Sequence, residues 1–380
     1  MPISTPEPDF AFIPDSLPPS WTFTEDLWPL LVEAKWRLGK LDGVARTLPH
    51  PALFLKPLQR VESLTSSRLE GTYATAQELM LFEIDPKEPH GPTDQAHAWR
   101  EVANYSSALA QGYAELRELP FCLRLIKDLH RTLLTGVRGA SRTIGEFREH
   151  QVHVGSTRRY VPPPPREMLE SLNQLENYIN KDDKRFDPLV RCFIVHYQIE
   201  TIHPFSDGNG RIGRVLLALM IYKWCELSLP WLYLSPFFER YKDEYIDNLF
   251  NVSSQGAWNA WVRFCLNAVI QQAKKATELC EHLQSIREAM HDRTREDCGT
   301  RIHPIIESLF DAPVVRIVDI VKRHSVHYAT AKADVNYLVR KGILAPLDGF
   351  KVKTFLAPEI FNAVYGDFQD EVQTPSPKAA

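Results

Sequence analysis

From about Trp21 to Phe82 the apolar residues recur at intervals of three and four. Leu27, Leu30, Leu31, Ala34, Trp36, Leu38 and Leu41 make one stripe, and Leu58, Val61, Leu64 and Leu69 make another. That period predicts amphipathic helices buried along one face. Ala96 to Tyr113, Phe121 to Leu134, and Met168 to about Ile221 carry the same period. Val269, Ala276, Leu283 and Met290 are seven apart and interleave with Leu279 and Ile286. This predicts one long helix with a packing seam, serving its own domain or a dimer coiled coil. One stretch breaks the helical pattern. Glu149 to Gly155 alternates like a strand, Tyr160-Val161 follows, and Pro162 to Pro165 forbid extension into a sheet. A short exposed β-hairpin is expected there.

The prolines of the first twenty residues (Pro2, Pro6, Pro8, Pro14, Pro18 and Pro19) predict an extended arm rather than a packed element. The organisation expected is a Pro-rich arm over 1–20, a helical region over 21–95, a central helical domain over 96–290 with its core at about 122–266, a C-terminal unit over 300–365 and a disordered tail over 366–380. The fold class is mainly α. The chain has 380 residues, 44% hydrophobic and 24% charged, which excludes bulk disorder and fibrous repeats. With 44 Lys and Arg against 48 Asp and Glu the net charge is −4, so any nucleic-acid role is confined to one part. No apolar run reaches a membrane-spanning length, and MPISTPEPDF lacks the pattern of a secretory signal. Cys122, Cys192, Cys225, Cys265, Cys280 and Cys298 form no CxxC pair, so a zinc site is not expected. Reduced core thiols and a cytoplasmic location are.

The chemistry concentrates in His203-Pro204-Phe205-Ser206-Asp207-Gly208-Asn209-Gly210-Arg211-Ile212-Gly213-Arg214. Gly208, Asn209 and Gly210 tolerate positive φ and leave backbone N–H groups bare at a helix start, an anion nest suited to phosphate. Arg211 and Arg214, three apart, share the face of the first turn and point at one ligand. Asp207 is a hard oxygen ligand suited to Mg²⁺ shared with a phosphate. His203 titrates near neutral pH and suits a general base. Gly208-x-Gly210-x-x-Gly213, with Glu226 downstream, also matches a dinucleotide fingerprint. That reading needs a strand before it, and Phe193 to Ile202 has the β-branched content to pass for one. Two arginines and an aspartate around the nest fit a nucleoside triphosphate with a metal better. No Walker A sequence occurs. His196 reads as a core or supporting histidine. His150, His153, Arg158 and Arg159 read as solvated or target-facing.

This string resembles the signature of the Fic family, H-P-F-x-(D/E)-G-N-G-R-x-x-R, with every fixed position filled. The resemblance implies transfer of AMP from ATP to a Tyr, Thr or Ser hydroxyl of a protein, with release of pyrophosphate. It implies His203 as base, Asp207 as Mg²⁺ ligand, the nest and Asn209 on the α-phosphoryl group, and Arg211 and Arg214 on the β- and γ-phosphates. Gly145-Glu146-Phe147-Arg148 and the hairpin resemble the family's target-binding flap, which assigns Val154, Gly155, Ser156 and Thr157 to target contact. Tyr245 and Ser253 fall in a segment resembling the adenine-side helix. Ser66-Ser67-Arg68-Leu69-Glu70-Gly71 resembles the family's inhibitory helix, (S/T)-x-x-x-E-(G/N), in which the Glu pairs with the last Arg of the signature, here Arg214. Ser66, Glu70 and Gly71 then form a brake, because an arginine held by a carboxylate cannot also hold a γ-phosphate. Auto-modification and AMP removal stay open, and a homodimer is expected.

The C-terminal unit reads as helix, helix, helix and hairpin: Ile305 to Phe310, Arg316 to Arg323, Tyr328 to Lys341, then Gly342-Ile343-Leu344 and Phe350-Lys351-Val352 turning at Asp348-Gly349. It resembles a winged helix. Between Arg316 and Lys353, eight Lys and Arg face three Asp, a local charge of +5. DNA and a protein are equally open as its partner. Two other readings stand beside the adenylyltransferase: a Fic enzyme with another phosphate-containing donor, and a winged-helix DNA-binding regulator whose Fic domain senses nucleotide.

Overall fold

The computed structural model describes residues 11–372 apart from 92, 138–142, 155–159, 182, 296–300 and 349–351. Helices α1 (Trp28–Thr47), α2 (Pro51–Leu69) and α3 (Ala76–Ile84) form the N-terminal region. The central domain contains α4 (Ala96–Glu115), α5 (Leu123–Leu134), α6 (Pro165–Asn180), α7 (Pro188–Ile202), α8 (Asn209–Trp224), α9 (Ser235–Arg240), α10 (Lys242–Gln255) and α11 (Trp258–Thr294). Proline sits in the first turn of α1, α2, α6, α7 and α9, where its missing N–H is no loss. A reciprocal Thr75–Glu78 capping box starts α3.

Helix α7 is buried on every side almost end to end, so it forms the axis of the core, with α8 packed along it. Phe193 to Ile202 is therefore helix, not strand, which removes the context a dinucleotide fingerprint requires. Helix α11 runs 37 residues, and Val269, Ala276, Leu283 and Met290 are all buried within the chain. Its seam is filled mainly by α1, whose Leu31, Ala34, Leu38 and Leu41 are buried. The coiled-coil alternative is thus corrected, since the seam has an internal partner. Trp36, placed in the α1 stripe by spacing, points outward instead.

Three further expectations are corrected. The arm is extended but packed: Phe12 N–H donates to Val161 O at 2.8 Å, Gln198 Nε2 donates to Asp15 O at 3.0 Å, and Pro14 and Pro19 are buried. Its prolines remove donors without preventing side-chain burial. The hairpin is reduced to one bridge, Val154 with Tyr160, because Glu149 to His153 make no ladder and 155–159 lie outside the described residues. The tail begins later, because the last helix runs on through Asp367 to Val372 with no helix-breaking residue to stop it; residues 373–380 lie outside the described residues.

The C-terminal unit has α12 (Ile302–Asp311), β1 (Val314–Arg316), α13 (Ile317–His324), α14 (Tyr328–Arg340), β2 (Ala345–Leu347), β3 (Thr354–Leu356) and α15 (Pro358–Val372). The antiparallel sheet has the order β1-β3-β2, with Phe355 facing Val315 on one side and Pro346 on the other. The second strand starts three residues after the expected position, because Ile343 and Leu344 are buried in the turn that closes α14. Of the expected return strand, Phe350 and Lys351 lie outside the described residues, and the observed strand begins at Thr354.

Candidate active site

Helix α7 ends at His203, whose φ of 50° lies in the left-handed region that residues with a side chain seldom occupy. The turn is held from outside. The buried Arg148 donates from Nε to His203 O at 2.8 Å, from Nη1 to His150 O at 3.0 Å, and from Nη2 to Pro163 O at 2.5 Å and Ile202 O at 3.4 Å. Its own N–H donates to Pro204 O at 2.9 Å. One guanidinium thus satisfies the carbonyls a strained helix end leaves bare. Burial lowers its pKa from the usual arginine range.

His203 Nδ1 lies 3.3 Å from Glu200 O. A carbonyl only accepts, so Nδ1 carries the proton and Nε2 is left as a bare acceptor. Burial lowers the imidazole pKa to about 4, against smaller opposing effects of the Glu200 carbonyl and the Glu70 charge. His203 is therefore neutral at pH 7 and equipped to take a proton.

The loop from His203 to α8 is tied across its base by Asn209. Its Oδ1 accepts from Phe205 N at 2.8 Å and its Nδ2 donates to Phe205 O at 2.8 Å. Only a side-chain amide supplies both halves of that pair. The buried Phe205 ring stacks on His130 at 3.7 Å. His130 Nδ1 accepts from Gly145 N at 3.0 Å, which leaves Nε2–H to donate to Asp207 O at 2.9 Å. Burial lowers the His130 pKa to about 4. Gly208, at φ 76°, starts α8. The first amide to bond back is Ile212, to Gly208 O at 3.0 Å, so the amides of residues 209–211 face the helix mouth.

Glu70 covers that mouth. A Cβ added to Gly210 would lie 2.2 Å from Glu70 Oε1, so a side chain here would displace the carboxylate from the helix mouth. Glu70 Oε1 accepts from Arg214 Nη2 at 2.7 Å. Arg214 also donates from Nε to Ser66 Oγ at 2.8 Å and from Nη2 to Ser66 O at 2.9 Å. Partial burial raises the Glu70 pKa, but Arg214, then Arg211 and His203, outweigh it and hold the carboxyl below its usual range. The N-terminus of α8 adds a favourable field at the same point. Arg211 turns elsewhere. It pairs with Glu101 at 2.9 Å and reaches Asp207 Oδ1 at 3.5 Å. Glu101 also accepts from Thr72 Oγ1 at 2.7 Å, just past Gly71.

Glu70, Val154, Glu200, His203, Gly210, Arg214, Tyr245 and Ser253 line one cavity of about 460 Å³, in the size range of ligand sites. Tyr245 OH donates to His196 Nε2 at 2.9 Å while His196 Nδ1–H donates to Gly213 O at 3.2 Å, so Tyr245 offers the cavity its ring rather than its hydroxyl. His196 is buried, with a pKa lowered to about 3, and acts as a core histidine. Ser253 Oγ lies 2.9 Å from Tyr197 OH. Ser66 lies behind Arg214, outside the cavity. Gly155, Ser156 and Thr157 lie outside the described residues. A larger, open groove of about 1370 Å³ lies between the start of α2 and α11–α12, but its Arg287 and His291 are already spent on Glu307, and Arg323 on Asp311.

Local sequence pattern assigns no role to Glu200, Glu101 or His130, and places Arg148 only in the flap segment. Glu200 Oε1 is buried without a partner, and burial raises its carboxyl pKa to about 8, opposed by Arg214 and reinforced by Glu70. A Cβ on Gly213 would lie 2.3 Å from that oxygen. Among the described residues no cluster of three or more His, Cys, Asp or Glu could hold a metal ion. No helix among them is long and apolar enough to cross a membrane.

The arrangement defines a class: a helical domain that presents a helix N-terminus and a neutral histidine to one cavity, with a carboxylate from a separate helix on its arginine. Comparison with known proteins gives the particular family. Residues 120–221 match the model of the Fic/DOC family, and residues 28–114 match the model of the Fic/DOC family N-terminal region. The chain thus contains a Fic/DOC family domain preceded by a Fic/DOC N-terminal region. It is 33% identical over 143 residues to the protein adenylyltransferase Fic of Aedes aegypti, covering 37% of this chain and 26% of that one. It is 34% identical over 99 residues to the protein adenylyltransferase fic-1 of Caenorhabditis elegans, covering 26% and 18%. The chain thus spans about a quarter or less of the length of these relatives. A Fic family protein from Desulfovibrio desulfuricans G20 shares the fold at a TM-score of 0.57 and 20% identity, covering 89% of this chain and 98% of that one. Fic-1 from C. elegans does so at 0.54 and 19%, covering 69% and 74%.

Proposed function

We propose that the chain is a protein adenylyltransferase that transfers AMP from ATP to a hydroxyl side chain of a protein and is held inactive by Glu70. The observation that carries this reading is the neutral His203, its Nε2 free, beside a helix N-terminus that Glu70 covers through Arg214. His203 Nε2 accepts the proton of the target hydroxyl. The hydroxyl oxygen attacks the α-phosphorus, its P–O bond forms as the bond to the β-phosphate oxygen breaks, and pyrophosphate leaves. The bare amides of residues 209–211 stabilise the charge on the α-phosphoryl oxygens. Asn209 fixes the loop through Oδ1 and one Nδ2–H, and its second Nδ2–H is the one that serves the α-phosphoryl group. Arg214, once free of Glu70, binds the γ-phosphate, and Arg211 flanks the same helix mouth. The Tyr245 ring and the Ser253 side form the adenine end of the cavity, and Val154 with residues 155–157 aligns the target.

Magnesium fits one residue, Asp207. Its side chain is 68% exposed, and a phosphate-bound Mg²⁺ needs only one or two protein carboxylates. The ion supplies charge neutralisation on the phosphates. The deciding experiment is intact mass spectrometry of wild type, Glu70→Gly and Glu70→Gly/His203→Ala after incubation with ATP and Mg²⁺. AMP adducts on Glu70→Gly that vanish with His203 support the transfer. No adduct on any form, with a lysate of candidate targets also unlabelled, overturns it.

The C-terminal unit is proposed as a winged-helix docking module, on its helix-strand-helix-helix-strand-strand order and its local charge of +5. DNA is its second candidate partner beside protein, and a gel shift that survives His203→Ala would favour it. A cytoplasmic homodimer is the proposed setting.

A further inference from the structure

The outer face of α1 is largely uncovered among the described residues, with only Asp187 bonded to Lys35 and Phe23 set against Trp28. Its inner face is buried against α11, but Trp28, Val32 and Trp36 are 54%, 64% and 55% exposed. They stand four apart, so they form one stripe. Trp28 is held in place by an edge contact with Phe23 at 4.9 Å, and the Arg37 guanidinium lies 4.6 Å from the Trp36 ring. The stripe continues through Gly39 and Gly43. A Cβ added at either would meet nothing, so the chain's own packing does not require these glycines, which are unfavourable in a helix interior.

The face is complementary to itself. Laid antiparallel on a second α1, with the two-fold axis between Lys35 and Trp36, Trp28 meets Gly43 and Val32 meets Gly39. Each large side chain then covers a flat glycine, and the aliphatic stem of Lys35, whose ammonium is held by Asp187, meets the facing Trp36. The same register sets Glu25 against Arg46. Glu25 has no ion pair among the described residues, while Arg46 is 60% exposed and held only by Asp42 on its own helix. We propose that α1 is a homodimer interface, pairing antiparallel with α1 of a second copy through Trp28, Val32, Trp36, Gly39 and Gly43, with Glu25 facing Arg46 at each end. A 20-residue helix is about 30 Å long and offers a strip roughly 10 Å wide. That gives each copy roughly 300 Å², short of the roughly 800 Å² of a standard interface, so the dimer is weak and depends on concentration. The inference is independent of the transferase reading, because its measurements need no nucleotide.

The test is sedimentation velocity of the full chain from about 1 to about 100 µM, a range that brackets weak association. The weight-average mass of wild type rises from 43.6 kDa towards twice that value. Gly43→Gln, which improves helix propensity and whose Cβ meets nothing in the monomer, weakens association at least about tenfold, and Trp28→Ser/Trp36→Ser abolishes it. Glu25→Cys/Arg46→Cys, oxidised, gives a covalent dimer on a non-reducing gel that neither single variant gives. The two positions are about 30 Å apart in one chain, too far to join internally. A wild type that stays monomeric at every loading overturns the proposal. So does a dimer indifferent to Gly43→Gln with no 25–46 cross-link.

Discussion

Replacing Glu70 with Gly removes the only carboxylate bonded to Arg214 among the described residues, and leaves the arginine held by Ser66 Oγ and O. A hydrogen bond between charged groups contributes about 1.5–3 kcal/mol. The Glu70 side chain is 39% exposed, so the lower half of that range applies, about 1.5–2 kcal/mol. The α8 N-terminus adds about 0.5 kcal/mol at the same carboxylate. Together they hold Arg214 in the closed arrangement by about 2 kcal/mol, a factor of about 30. Initial rates of radiolabel incorporation from α-labelled ATP, at an ATP concentration below saturation, should therefore rise about 10- to 100-fold in Glu70→Gly. Ser66→Ala removes one neutral acceptor, about 1 kcal/mol, and should give about fivefold. Glu70→Gln keeps the shape, loses the charge and should fall between. Incorporation in Glu70→Gly within twofold of wild type would refute the brake. A gain retained after His203→Ala would refute the base.

Other expectations follow from the same geometry. Glu200→Gln replaces a carboxyl whose pKa is raised to about 8. The folded state holds that proton between about pH 4.5 and 8 where the unfolded state has lost it, so wild-type stability falls across that window; the neutral amide should recover on the order of 1–3 kcal/mol at pH 8 by urea melting. His130 has the opposite sign. Its folded pKa of about 4 lies below the ordinary 6.5, so the unfolded state binds more protons between those values and stability rises with pH there, by about 3 kcal/mol for this buried ring; a urea midpoint flat from pH 4.5 to 6.5 would contradict this. Arg60 is buried on α2, bonds Glu83 at 2.7 Å and donates to Asp311 O at 2.6 Å, so it joins α2 to α3 and to the end of α12. Arg60→Ala should cost about 3–5 kcal/mol in urea melts, because it strands Glu83 and an unmet carbonyl.

The helices, their order and the chemical centre were legible because each rests on local information. Apolar spacing specified α4 and α5, and a twelve-residue string held His203, the nest and both arginines. The partners lay elsewhere in the chain. Nothing near Arg148 announces that its guanidinium will gather carbonyls from residues 150, 163, 202 and 203. Nothing near Glu101 announces Arg211, 110 residues on. The same limit explains Asn209. Beside glycines at a helix start it reads as a phosphate contact. Its buried amide also closes the loop on Phe205 through Oδ1 and one Nδ2–H, a pair of bonds that only the folded turn displays. The consequence is a division of labour within the string. Asn209, Phe205 and His130 fix where the helix mouth lies, and Arg148 fixes where His203 points. The residues left to meet a substrate are those whose partners can be exchanged: the bare amides, the exposed Asp207, and Arg214 when Glu70 departs. Replacing a fixing residue should therefore lower turnover and stability together. Replacing an exchanging residue should change turnover alone.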